Sequence, residues 1–260
     1  MSRELPPLDL HAHIDVGVGA RDLESLGAVV FVATRTLEKS AAALTRSDAV
    51  TIWGVGCHPG VPAAQDRFDV ELFRYQLAQT AFISEVGLDG GSKVPMDRQV
   101  EVFTEILGLV AQAPRIVSVH SARATTRTLD VIEQTGARGV ILHWWLGSDR
   151  ETKRAIDLGC FFSVNPSMDP RRLATAGVPL ERLLPETDHP SGNRRGASMK
   201  QPGWTSDVEA SVARAYGLPE QAVRRQFWKT LAALVDALDV EWLLPPVVCA
   251  MLDAARRSGE

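Results

Sequence analysis

Short apolar and β-branched runs recur along the chain at Leu8–His13, Ala28–Arg35, Thr51–His58, Phe82–Leu88, Ile116–Ser121, Gly139–Trp145, Phe161–Pro166 and Leu183–Asp188. Their lengths, and the glycines or polar residues that flank them, suit parallel strands buried on both faces. Between them the apolar period changes to that of a helix. Val70, Phe73 and Leu77 mark a helix over Asp69–Thr80, and Val100, Phe103, Leu107 and Val110 mark another over Met96–Ala113. Ala122–Thr135 and Arg150–Leu158 read the same way, with Gly136 and Gly159 as stops. Strand starts lie 20 to 34 residues apart, which is what a strand–loop–helix–loop unit needs. Eight such units in succession predict an α/β protein built as a (β/α)8 barrel of the TIM type rather than an open sheet.

After the eighth strand, Asp207–Ala215 and Pro219–Leu238 predict extra C-terminal helices, with Pro219 well placed at a helix start. The barrel is therefore expected over residues 1–238. Residues 239–260 form an extension that packs on the barrel or docks a protein partner, and Trp242 to Val248 is its apolar stretch.

Composition narrows the class. A chain of 260 residues, 45% hydrophobic and 23% charged, has the balance of one soluble α/β barrel domain. No apolar run approaches the roughly 20 residues that span a bilayer, so no membrane association is expected. Met1 to Leu10 lacks the basic and apolar regions of a signal peptide. Cys57, Cys160 and Cys249 are too scattered for a zinc framework or a disulfide scaffold, which points to the cytoplasm. A net charge of −4 argues against coating nucleic acid by bulk charge.

The chemistry sits at the strand ends. Of six histidines, His11, His13, His58, His120 and His143 fall at the carboxyl ends of strands 1, 3, 5 and 6, and His189 follows strand 8. That face carries the active sites of barrel enzymes. His11 and His13, two apart on one strand, point to the same side. Glu85 lies inside an apolar strand, where a carboxylate is costly unless paired or bound to metal. Singly, each has an ordinary structural explanation. Together with Asp188 they would crowd polar groups without partners, unless a divalent cation supplied the missing charge.

These residues also resemble a known family. His11-Ala12-His13, Gly56-Cys57-His58-Pro59, Glu85-Val86-Gly87-Leu88-Asp89, Val119-His120-Ser121, His143 to Ser148 and Glu186 to Pro190 look, in that order, like the TatD family of metal-dependent hydrolases of the amidohydrolase type, several of which are deoxyribonucleases. The resemblance implies that His11, His13 and Asp188 hold one metal, that Glu85 bridges, and that His120 and His143 hold a second. It implies a substrate or supporting contact for His58. The sequence departs from the family pattern in three places. Gly60 stands where a second histidine often follows His58, Arg123 is displaced by one position after His120, and Trp144-Trp145-Leu146 replaces the usual residues after His143.

One or two divalent cations, zinc, manganese or magnesium, would thus activate water, with Asp188 as general base and Glu85 as the shared carboxylate. The substrate is read from the loops. Arg123 and Arg127, Arg171 and Arg172, and Arg194, Arg195 and Lys200 put a basic cluster on the active face of an acidic protein, and arginine suits phosphate. Arg123, Arg194 and Arg195 are the candidate substrate contacts beside His58. Trp144, Trp145 and Trp204 lie on the same side, available to stack bases or to pack under the loops. A deoxyribonuclease acting on single-stranded or frayed DNA ends is the leading expectation. The alternatives are amide or ester hydrolysis, such as aminoacyl-tRNA deacylation, and a non-catalytic barrel subunit.

Overall fold

The computed structural model describes residues 4–193 and 201–257. The first half runs β1 (Leu8–Ala12), α1 (Ala20–Ser25), β2 (Val29–Val32), α2 (Leu37–Ala43), β3 (Thr51–Trp53), β4 (Val55–Gly56), α3 (Pro62–Asp66), α4 (Val70–Leu77), β5 (Phe82–Gly87) and α5 (Met96–Gln112). The second half runs β6 (Ile116–His120), α6 (Thr125–Thr135), β7 (Val140–Leu142), α7 (Asp149–Asp157), β8 (Phe161–Val164), α8 (Arg171–Thr175), β9 (Leu183–Pro185), α9 (Ser206–Tyr216), α10 (Glu220–Leu238) and α11 (Pro246–Arg257).

All described strand pairs are parallel, in the order β1-β2-β3 and β4 through β9. β3 and β4 are the two halves of one expected strand, interrupted at Gly54. There the Thr34 hydroxyl donates to the Gly54 carbonyl at 2.8 Å, while the Gly54 N–H still reaches the Val32 carbonyl at 2.9 Å. A Cβ at Gly54 would lie 2.6 Å from the Phe82 ring, and one at Gly56 only 1.9 Å from the Thr34 carbonyl oxygen. Glycine at both positions is what lets neighbouring strands approach.

The last strand returns to the first. The Asp188 N–H donates to the His11 carbonyl at 2.8 Å and the His13 N–H to the His189 carbonyl at 2.9 Å. The buried Asp9 carboxylate reinforces this seam, accepting from the Thr187 N–H at 2.8 Å and the Thr187 hydroxyl at 2.6 Å. The fold is thus the expected (β/α)8 barrel, with eight strand positions and helices outside.

The core lies between strands and helices, where Phe31, Phe73, Phe82, Phe103, Phe162 and Phe227 are buried. α10 buries Val223, Phe227, Trp228, Leu231 and Val235, and the Trp228 indole donates to the Pro6 carbonyl at 2.8 Å beneath β1. α11 packs against α10 through Val248, Leu252 and Ala255, while Arg256 bridges Asp236 and Glu241. Trp242 stays exposed. Among the described residues, no helix is long and apolar enough to cross a membrane.

Candidate metal centre

Every expected ligand sits in the carboxyl-terminal half of a strand or within three residues beyond its end. The backbone there is contorted. Glu85 (φ 42°), Trp144 (φ 43°) and Asp188 (φ 44°) are in the left-handed region, which non-glycine residues seldom adopt. Two of these are expected ligands and the third follows one. Such strain persists where the surroundings over-determine it, commonly at functional sites. At Glu85 it coincides with a slip in the β5–β6 register between Ile83 and Val86. Gly87 follows at φ 133°, where a Cβ would strike the His120 carbonyl at 2.1 Å. The glycine is needed for β5 and β6 to bring Glu85 and His120 together.

Three connected groups result, each with potential ligand atoms within 4.8 Å of one another: His11, His13 and Glu85; His11, His143 and Asp188; and His58, Glu85 and His120. All six expected ligands are gathered. The grouping differs from the family-based division in two respects: His58 falls beside Glu85 and His120, and His143 falls beside His11 and Asp188 rather than beside His120. His143 stacks on His11 with ring centroids 4.0 Å apart, against 6.2 Å to His120.

Hydrogen-bond partners sort the histidines by tautomer. His13 Nδ1 lies 3.0 Å from the Ala33 carbonyl, which can only accept, so Nδ1 carries the proton and Nε2 presents a lone pair. That Nε2 is buried without a hydrogen-bond partner, 3.2 Å from Glu85 Oε2 and 3.7 Å from Asp188 Oδ1. A lone pair facing carboxylate oxygens with no proton between them is unfavourable, and a cation removes the conflict. His143 donates from Nδ1 to Glu186 Oε2 at 2.8 Å, the carboxylate–histidine arrangement that orients metal-binding imidazoles. The other Glu186 oxygen accepts from Asn165 at 3.1 Å. His11 Nδ1 meets the Ser118 hydroxyl at 2.8 Å, and His11 Nε2 and both His120 nitrogens are buried without a hydrogen-bond partner. His58 is the exception. Its Nδ1 accepts from the Gly60 N–H at 2.7 Å, so the neutral ring carries its proton on Nε2, which donates to Glu85 Oε1 at 2.9 Å. His58 is thus set as a donor, in keeping with a contact rather than a ligand.

The electrostatics agree. Burial lowers His11 well below the usual imidazole range and lowers His13, and it takes His120 down to about 4. These rings are neutral and ready to ligate at pH 7. Burial would raise Glu85, but His13 and His58 outweigh it and hold the carboxyl well below its ordinary range. Asp188 is raised to about 7 by burial, with His143 pulling the other way. Burial also works to lower His143, but Glu186 overrides it and lifts the ring to about 9. Buried lone pairs without partners, neutral imidazoles and two carboxylates fit a divalent cation.

The expected substrate contacts fare differently. Arg123 is exposed after β6, at φ 53°, with no ion pair among the described residues. Arg194, Arg195 and Lys200 lie outside the described residues. Arg171 is bonded to Asp169 and Arg127 lies 3.7 Å from Asp97, whereas Arg172 makes no ion pair among the described residues. Trp145 is buried, with its indole N–H on the Thr152 hydroxyl, so it packs under the loops; Trp204 is 54% exposed. Sequence reasoning gave no site role to Asp9, Arg35, Ser118, Asn165 or Glu186. Arg35 follows β2 and donates from Nε to Glu85 Oε2 at 3.3 Å. A charged residue closing an apolar strand was the one available signal for it.

Comparison with known proteins identifies the family. A family model described as TatD related DNase matches residues 8–236. The Homo sapiens Deoxyribonuclease TATDN3 is 25% identical over 247 residues, covering 83% of this chain and 89% of that one. The Escherichia coli (strain K12) metal-dependent hydrolase YcfH is 32% identical over 184 residues, covering 64% of this chain and 67% of that one. Among solved structures, YJJV, a TatD homologue from Escherichia coli K12, superposes with a TM-score of 0.76 at 23% identity, over 87% of this chain and 96% of that one, a likeness of fold. A barrel of this form, clustered histidines and carboxylates at its mouth and a family match over most of its length mean that the chain belongs to the TatD-related DNase family and is a metal-dependent hydrolase.

Proposed function

We propose that the protein is a deoxyribonuclease that hydrolyses phosphodiester bonds of DNA at single-stranded or frayed ends. The observation that carries this reading is the cation-shaped conflict at His13 Nε2, Glu85 and Asp188, on the barrel end from which Lys39, Arg123 and Arg172 follow β2, β6 and β8 with no ion-pair partner among the described residues. The relative named Deoxyribonuclease TATDN3 supports the choice of DNA. Exposed Trp204 and half-buried Trp144 support an unpaired strand, whose bases can stack on aromatic rings.

His11, His13, Glu85, His120, His143 and Asp188 would hold one or two divalent cations, His143 beside His11 and Asp188, and His120 beside Glu85; zinc and manganese suit the imidazoles, and magnesium suits phosphate oxygens. A cation bound there supplies positive charge to the phosphoryl group and makes water a stronger acid. The chain's own residues do the rest. Asp188 takes the proton of the attacking water at a carboxylate oxygen. His58, its tautomer held by the Gly60 N–H, would swing its Nε2 proton from Glu85 to a phosphate oxygen when substrate binds. Glu186 keeps His143 oriented through Nδ1.

The test is a side-by-side assay of end-labelled single-stranded DNA, double-stranded DNA and an aminoacyl ester with the same preparation. Cleavage of the single strand, faster than of the duplex and absent for the ester, is expected. Ester hydrolysis without DNA cleavage would move the site to acyl chemistry.

A further inference from the structure

The cations that arise from the β2–α2 connection are not explained by the metal centre alone. Arg35 leaves the end of β2 with its side chain 43% exposed, and only its Nε is engaged, on Glu85. Its two terminal nitrogens have no partner among the described residues. Lys39, exposed in the first turn of α2, likewise makes no ion pair among them. Both line a cleft of about 510 Å³ that opens beside His13 and runs to Pro190 and Ser191. Two acids also line the cleft and neither is paired with Arg35 or Lys39: Asp15 accepts from the Gly17 N–H at 2.7 Å, and Glu38 lies 4.0 Å from Arg67. The cleft therefore joins the metal centre to a guanidinium that is paired with Glu85 through Nε alone, its fork of terminal donors still suited to phosphate oxygens, and to a lysine with no ion pair among the described residues.

We infer that this cleft is a phosphate subsite, in which Arg35 and Lys39 grip a backbone phosphate of the DNA strand next to the scissile bond. Arg35 keeps its Nε toward Glu85 and turns its terminal nitrogens to the phosphate, so the strand is fixed relative to the bridging carboxylate. Lys39 adds a point charge one turn further out. The inference rests on the proposed DNA substrate and adds where the strand runs.

The measurement is the salt dependence of binding to a fluorescent single-stranded oligonucleotide with phosphorothioate linkages, which slows cleavage, using the metal-loaded full chain. Variants are Arg35→Gln, Lys39→Gln and, as control, Arg214→Gln on the exposed side of α9. Each subsite variant should bind more weakly and flatten the slope of log affinity against log salt by about 0.7, the share of one single-strand phosphate contact. The control should match the parent. Metal content should be unchanged in all three. Tight, salt-dependent binding by the parent with unchanged slopes in both subsite variants would overturn the subsite and leave the DNA reading standing. Metal loss in Arg35→Gln, with the Lys39→Gln slope unchanged, would reduce Arg35 to a support for Glu85 and overturn the subsite too. Absence of DNA binding by the parent would overturn both readings together.

Discussion

Replacing Glu186 with glutamine should change how metal binding depends on pH in a way that a simple loss of structure would not. In the metal-free protein Glu186 holds the proton on His143, lifting that ring from 6.5 to about 9 against burial, which pulls the other way. A cation reaching His143 Nε2 must displace that proton. Below pH 9 the cost grows about tenfold per pH unit, so at pH 7 proton competition weakens binding roughly 100-fold. The neutral His11, His13 and His120 add no such term, because burial already keeps them unprotonated at pH 7. Asp188, at about 7, contributes a part of a proton. Glu186→Gln keeps the side-chain shape and removes the charge, so His143 falls back toward neutrality. It also removes a partner that strengthens the ligand, a change that usually costs about 10- to 100-fold in metal affinity. The two effects oppose each other at pH 7 and separate at pH 9. The variant should bind metal about 10- to 100-fold more weakly at pH 9 and near parity at pH 7. Titration calorimetry in buffers of different ionisation enthalpy would count the protons released. The parent should release about one more than the variant at pH 7. Equal proton counts and parallel pH curves would refute the reasoning.

Three other substitutions probe the remaining roles. Asp188→Asn should lower turnover by roughly two to four orders of magnitude while metal is retained, read by kinetics beside elemental analysis; near-normal turnover would remove Asp188 as base. Glu85→Ala should lose activity and metal together, since Glu85 contributes to two of the three ligand groups, and full metal retention would show that it is no bridge. Trp228→Ala should cost about 3 to 5 kcal/mol in urea unfolding, because the ring is fully buried in α10 and tied to Pro6; a loss below about 1 kcal/mol would mean the barrel floor repacks without it.

Much of this was legible in the sequence, for identifiable reasons. Strands such as Phe82–Gly87 and Ile116–His120 are buried along nearly their whole length because both of their faces are covered, and they read as mainly apolar runs in which Ser84, Glu85, Ser118 and His120 stand out. α5 and α10 are long enough, at 17 and 19 residues, for helical periodicity to emerge. α1, α3 and α8 have only five or six residues, and α2 seven, too few turns for a period to register. The break at Gly54 depends on Thr34 and Ser84 in neighbouring strands, which no local pattern contains. The candidate ligands were visible because histidine or carboxylate at the end of an apolar strand is unusual chemistry for that place. Their supports were not. Ser118 is 107 residues from His11, and Asp9 accepts from the Gly203 N–H 194 residues away; only the closed barrel brings them together. The tautomer of His58 turns on one backbone N–H, from a glycine where the family pattern often has histidine.

The central claim is that DNA hydrolysis depends on a cation held by these residues. Its most direct test is to strip the protein with a chelator, add back zinc, manganese or magnesium in steps, and follow cleavage of end-labelled single-stranded DNA beside metal bound per chain. The account predicts that stripped protein is inactive and that cleavage returns in proportion to one or two cations bound per chain, with no recovery in Glu85→Ala. Undiminished cleavage by fully stripped protein would contradict it.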